Sequence, residues 1–160
     1  MQIPTTRNPL LGMIFSEEGV RPDPGKVDDL QYLTPPTDKA ELISFLCMMQ
    51  SNASFIPQFA KKSADLRELT KGRTHFRWDV KHQQCFEQLI ADFKKDTTLR
   101  YFDVTKPTFL ITDAHKTGFG AILAQGDELS KAKAVAIASR STSPAEQRYP
   151  QIDLEAMGVD

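Results

Sequence analysis

The chain reads as an α+β protein, a small helical bundle followed by three strands and a helix. Two observations carry that reading. Up to about residue 96, apolar residues recur at three- and four-residue spacing between proline breaks. From Pro107 the two-residue repeat of a strand takes over. With 160 residues, 40% of them hydrophobic, the chain can build one medium domain or two small ones with real cores.

Residues 10–22 read as a hairpin with Glu18-Gly19 at its turn. Asp23 then caps a helix begun by Pro24, in which Val27, Leu30 and Leu33 share a stripe until Pro35-Pro36 stops it. Thr37 starts a second helix that buries Leu42, Ile43, Phe45, Leu46 and Met49, and the chain breaks again at Ser51–Pro57. A third helix carries Phe59, Leu66 and Leu69 and ends before Thr70-Lys71-Gly72-Arg73. The fourth, capped by Asp79, has the clearest stripe, with Phe86, Leu89, Ile90 and Phe93 at i, i+3, i+4 and i+7. These stripes predict a bundle core rather than a cofactor box.

A polar connector spans residues 97–106. Phe109, Ile111 and Asp113 then share one face of a first strand, the chain turns through Gly118, and Gly118–Gln125 reads as a strand of small residues. Gly120 and Ala121 leave room close to the Asp113 carboxylate. Ala134–Arg140 reads as a third strand, and Ser143-Pro144-Ala145-Glu146 as a capping box. In the last helix, Ile152, Glu155, Ala156 and Val159 fall on one stripe. The predicted layout is a hairpin over 1–22, helices over 23–96, a connector over 97–106 and a strand-rich unit over 107–160.

Asp113 and Glu155 are the candidate catalytic and metal-binding residues, because each is a carboxylate on the apolar face of its own element. A buried unpaired carboxylate costs several kcal/mol, roughly, so two that converge call for a proton or a shared cation. Oxygen donors of this kind suit Mg2+ or Mn2+, which can activate water in phosphodiester hydrolysis. A second reading stands beside it, in which Asp113 caps a turn and Glu155 forms a surface ion pair.

The formal net charge of −1 argues against a surface built throughout for nucleic acid. Between Lys61 and Lys81, however, seven basic residues face three acidic ones. Lys61, Lys62, Arg67, Lys71, Arg73 and Arg77 are therefore candidates for phosphate contact, the alternative being a solvated helix face. Phe76 and Trp78 either stack on bases or anchor the bundle core. Cys47 and Cys85 match no metal-ligand spacing and read as reduced, buried thiols. No apolar run is long enough to span a membrane, and the polar start lacks a signal-peptide core.

Several strings, in order, resemble the reverse transcriptase and ribonuclease H junction of Gypsy-type LTR retrotransposon Pol polyproteins. Thr112–Leu123 is similar to the family's "TDAS-xx-GxGAVL", and Ser139–Val159 to "SRSLSPAEQRYSQIEKEALAVV". Upstream, Leu42–Phe59 resembles "LRSFLGMVNYYRRFIPNFA", Phe76-Arg77-Trp78 resembles "FxW", and Leu11–Pro24 looks like the passage from palm to thumb. The resemblance implies a thumb-like bundle joined to a partial ribonuclease H-like fold of three antiparallel strands and a helix. It implies metal binding at Asp113 and Glu155, an RNA/DNA hybrid and the rest of the Pol polyprotein as partners, and a location in a cytoplasmic virus-like particle or the nucleus, not secretion.

The resemblance also marks what is missing. No Tyr-x-Asp-Asp string of a polymerase palm occurs, and only the first two of four ribonuclease H acids have counterparts. The expectation is that the complete parent hydrolyses the RNA strand, while this chain grips nucleic acid; the alternative is an inactive remnant that binds nucleic acid or a protein. A bare strand edge would leave 107–160 marginally ordered by itself. Cys47 stands where the family has glycine, His115 where a small polar residue is usual, either as a metal or phosphate contact or as a turn residue, and Pro150 where a helix-capping serine is usual.

Overall fold

The structure, a computed structural model, describes residues 8–10, 12–72, 74–95 and 97–158. Arg73, Val159 and Asp160 lie outside the described residues.

A small antiparallel sheet of β1 (Asn8–Leu10), β2 (Met13–Ser16) and β3 (Gly19–Pro22) opens the chain, with β2 and β3 forming the hairpin expected from Glu18-Gly19. Asp23 caps α1 (Pro24–Asp29) by accepting from Gly25 N at 3.0 Å. A 3₁₀ turn at Leu30–Tyr32 ends it one turn sooner than the apolar stripe suggested, so Leu30 is buried while Leu33 is exposed. α2 (Lys39–Ser51) is capped by Asp38, one residue beyond the expected Thr37, whose N–H and hydroxyl both bond Glu41 instead. Ile43, expected in the core, is 47% exposed, because Leu42, Phe45, Leu46 and Met49 already fill the inward face.

The third predicted helix is two. α3 (Phe59–Lys62) and α4 (Ala64–Thr70) meet at Ser63, which is fully buried. Its hydroxyl accepts from Arg67 Nε at 2.9 Å and donates to Ala60 O at 3.4 Å, and such local bonds compete with the helical ladder. α5 (Val80–Lys94) keeps its predicted cap, Asp79, which accepts from Lys81 N and His82 N. Phe86, Leu89 and Phe93 of α5 pack with Leu42, Phe45, Phe59 and Leu66 into one helical core. Cys47 is exposed and Cys85 half-buried, so the expectation of two buried thiols fails: Cys47 lies on the outward face of α2.

One buried carboxylate ties α3 to α5. Asp92, 3% exposed, receives Lys62 Nζ at 2.7 Å and Lys95 Nζ at 2.6 Å. Burial works to raise its pKa, but contacts with Lys62, Lys95 and Gln88 outweigh it and hold the carboxyl below its usual value.

The connector is more structured than its polar sequence suggests. Leu99 exchanges both backbone hydrogen bonds with Val20 at 2.8 Å, and Arg100 N donates to Ala134 O at 2.8 Å, so it links the first sheet to the second. Gly19 sits at φ 132°, where a Cβ would collide with Leu99 O. Gln125, buried, donates to Asp103 O and accepts from Asp103 N, pinning the connector's far end.

The second sheet is antiparallel, in the order β4 (Thr108–His115), β5 (Gly118–Gln125), β6 (Lys133–Ser141). The Ser143–Glu146 capping pair forms reciprocally, but leads into a 3₁₀ turn at Glu146–Arg148 before α6 (Gln151–Met157). The chain is thus a mixed helix-and-sheet protein, as its periodicities indicated. No helix among the described residues is long and apolar enough to cross a membrane.

Two outcomes test this packing. Leu89→Ala, at a site with no exposure, is expected to lower unfolding free energy in urea by about 3 kcal/mol, and a loss below about 1 kcal/mol would remove α5 from the core. For Asp92, whose folded pKa is depressed, the stabilisation is present above the ordinary carboxylate value and is lost as pH falls through the folded value. Acid unfolding followed by circular dichroism should accordingly be less steep in Asp92→Asn than in the parent, while at pH 7 the variant is less stable by about 2 kcal/mol.

Candidate metal centre and nucleic-acid surface

Strand alternation decides where Asp113 points. Asp113 pairs with Gly120, and Gly120 with Ser139, so these three lie on one sheet face with Ile111, Ile122 and Ile137. Ala114, Phe119 and Arg140 lie on the other.

The Asp113 face is where α3 packs. Ala60 N donates to Ser139 Oγ at 3.2 Å. A Cβ on Gly118 would stand 3.1 Å from Ala60 Cβ and 3.2 Å from Lys61 N, and one on Gly120 would stand 3.2 Å from Gln58 Cγ. The room that Gly120 leaves beside the carboxylate is therefore filled by the start of α3. Gln58, at φ 58° and ψ 30°, adopts the left-handed conformation to make that entry. Lys61 Nζ then comes to 3.5 Å from Asp113 Oδ2, with the side chains 36% and 45% exposed.

The opposite face receives α6. Leu154, fully buried, and Met157 pack on Ala114 and Phe119. This corrects the predicted stripe: Ile152 is 74% exposed, Glu155 and Ala156 are exposed, and the inward residues are Leu154 and Met157. Glu155 is thus not a buried carboxylate, and neither is Asp113. Their connection runs through Gln151, whose Nε2 donates to Ala114 O at 2.9 Å and to Glu155 Oε1 at 3.2 Å. Among the described residues, no three or more His, Cys, Asp or Glu side chains are grouped to hold a metal ion. Asp113 and Glu155 are hard oxygen donors of the kind that suits Mg2+, two where a whole shell takes more.

Most of the basic candidates have partners. Lys61 pairs with Asp113, Lys62 with buried Asp92, and Lys71 with Glu68. Arg67 bonds Ser63 Oγ and Gln50 Oε1 and lies over the Phe59 ring at 5.4 Å, and burial lowers its pKa. Arg77 is exposed. Trp78 donates to Gln83 Oε1 at 2.9 Å with its ring edge-on to Phe86, and Phe76 packs beside it, which favours the core-anchor reading for both. His115 Nδ1 bonds Thr117 within the β4–β5 turn.

Residues that carry no signal of their own in the sequence organise this region. Gln58 and Ala60 seat α3, Ser139 receives it, and Gln151 joins α6 to β4. Arg140 holds Glu146 by two bonds, at 2.8 and 3.1 Å, and its guanidinium lies 4.3 Å above the Phe119 ring. Arg140 and Ser143 together bring the Glu146 pKa down to about 2. The glycines at 118 and 120, two residues apart on one strand face, were the available signal of a close approach.

Residues 78–159 match the family described as the RNase H-like domain found in reverse transcriptase. A Retrovirus-related Pol polyprotein from transposon opus of Drosophila melanogaster is 30% identical over 165 residues, covering 96% of this chain and 16% of that relative. The Transposon Tf2-3 polyprotein of Schizosaccharomyces pombe is 28% identical over 149 residues, covering 93% and 11%. The chain therefore spans about a sixth or less of the length of these relatives. Among solved structures, the foamy viral protease-reverse transcriptase in complex with RNA/DNA hybrid superposes with a TM-score of 0.76 at 19% identity, over 95% of this chain and 21% of that one. The dRH form of the same viral protein in complex with ds DNA gives the same TM-score and identity over 27% of its chain. At that identity the likeness speaks for the fold. Half of its length matched by the family and nearly all of it aligned with a transposon Pol polyprotein, the chain belongs to the RNase H-like domains found in reverse transcriptases.

Proposed function

We propose that this chain is the thumb, connection and first ribonuclease H portion of a retrotransposon reverse transcriptase. In that role it grips an RNA/DNA hybrid and contributes Asp113 and Glu155 to the cleavage site. The observation that carries the reading is the family match over residues 78–159, which includes both the strand of Asp113 and the helix of Glu155. In the complete parent, Mg2+ or Mn2+ held by these carboxylates and further acids would activate water for attack on the RNA strand. Gln151 fixes α6 against β4 and orients Glu155. Asp113, half-exposed at the strand's end, keeps lone pairs facing solvent. Recognition of the hybrid would rest on shape and backbone, with Lys71 and Arg77, both exposed, best placed outside the buried ion pairs.

A second reading, in which the segment binds nucleic acid or a protein without chemistry, draws on one observation: Asp113 already has a lysine partner, and no third acid joins it among the described residues.

Binding and chemistry separate in one assay. The 160-residue chain is expected to retard a labelled RNA/DNA hybrid at about 50 mM salt and to release it towards about 200 mM. Replacing Lys71 and Arg77 together by alanine should flatten the logarithmic salt dependence by about 1 to 2. The RNA strand should stay intact in Mg2+ or Mn2+. Cleavage that Asp113→Asn abolishes would show that two carboxylates suffice, and absence of binding at low salt would remove the proposed grip.

A further inference from the structure

We propose that Lys61 is the resident counter-ion of Asp113 and competes with a divalent cation for it, so that cation binding there loosens α3 from the sheet. The proposal rests on the reading of Asp113 as a cation ligand, and its geometry is independent of that reading.

Two consecutive lysines in one helical turn serve different parts of the molecule. Lys62 reaches into the helical core to Asp92 at 2.7 Å, whereas Lys61 reaches across to Asp113 at 3.5 Å. α3 is thereby held between α5 and the sheet. The Lys62 contact is anchored at a carboxylate that is almost fully buried; the Lys61 contact is longer and open to solvent on both sides. The two contacts thus differ in what can displace them. Asp113 is open to solvent, whereas Asp92 is almost fully buried.

The same carboxylate cannot serve both partners without cost. A divalent ion on Asp113 would stand within a few ångströms of the Lys61 ammonium, and like charges at that separation repel. Lys61 is free to swing out, being over a third exposed. Its departure removes one attachment of α3 to the sheet, leaving among others the Ala60–Ser139 hydrogen bond and the contact of Gln58 and Ala60 with Gly120 and Gly118. Gln58 enters α3 through a left-handed conformation that a glutamine holds only when its surroundings enforce it. A loosened α3 relaxes there first. Cation occupancy and the seating of the helical unit are in this way two readings of one equilibrium.

The test uses the whole 160-residue chain, isotope-labelled, titrated with Mn2+ and read by paramagnetic broadening of the amides of residues 112–115. In the parent protein these signals are expected to broaden with a midpoint that Lys61→Met moves about tenfold lower, since a competing charge has gone. Lys61→Arg, which keeps the charge, should leave the midpoint within about twofold. Hydrogen exchange at the amides of Lys62 and Ser63, which close the α3 turn, should quicken with Mn2+ in the parent and not in Asp113→Asn. Broadening that depends on Asp113 but has the same midpoint in Lys61→Met overturns the competition and leaves Asp113 as a ligand. An equal shift in Lys61→Arg and Lys61→Met overturns it as well, because charge would not be the cause. No Asp113-dependent broadening in any variant overturns the competition together with the assignment of Asp113.

Discussion

The seating of one helical turn, α3, on the glycine floor of β5 is the contact on which the rest of this structure depends. Gly118 and Gly120 fall on the same strand face, and there the Ala60 methyl group, the Lys61 amide and the side chain of Gln58 come so close that a Cβ would stand 3.1 to 3.2 Å from them. Ordinary side chains at these positions would hold α3 away from the sheet, and the Ala60–Ser139 bond and the Lys61–Asp113 pair would lengthen with it. The helical core supplies the other side of the clamp through Phe59, packed inward, and Lys62, paired with buried Asp92.

That contact also sets what the carboxylates can do. Because Asp113 shares the face of Gly120, it lies at the rim of the α3 contact, half-exposed, with a lysine for company. Glu155 belongs to a helix that packs through Leu154 on the other face and meets β4 through Gln151. The two acids sit on different elements, and the position of each follows from how its own element packs against the sheet.

Much of this was legible in the residues. Asp23 and Asp79 announced their helices because a side-chain oxygen before an apolar stripe has a definite use at a helix start, and the Phe86–Phe93 stripe of α5 became the core as its spacing required. What was not legible depended on contacts distant in sequence. Ile152 and Glu155 share a stripe with Ala156, yet α6 turns Leu154 and Met157 inward, onto Ala114 and Phe119 of the sheet. Ser63 split a helix whose apolar spacing continues through the break. The basic run at 61–77 looked like one surface, but Lys61, Lys62 and Arg67 point to three different partners, because charge counting ignores which side of a short helix each residue occupies. Gly118 and Gly120 signalled a close approach without naming α3 as what approaches.

In solution, α3 is expected to rest on β5 as it does here. A nuclear Overhauser contact between the Ala60 methyl group and the Gly118 α-protons reads that seating directly, since it is seen only between protons a few ångströms apart. A strong cross-peak is expected, because a Cβ on Gly118 would stand 3.1 Å from the Ala60 methyl carbon. Its absence, with the signals of α5 and of the β4–β6 sheet both showing folded dispersion, would mean that the helical unit and the sheet are not joined there.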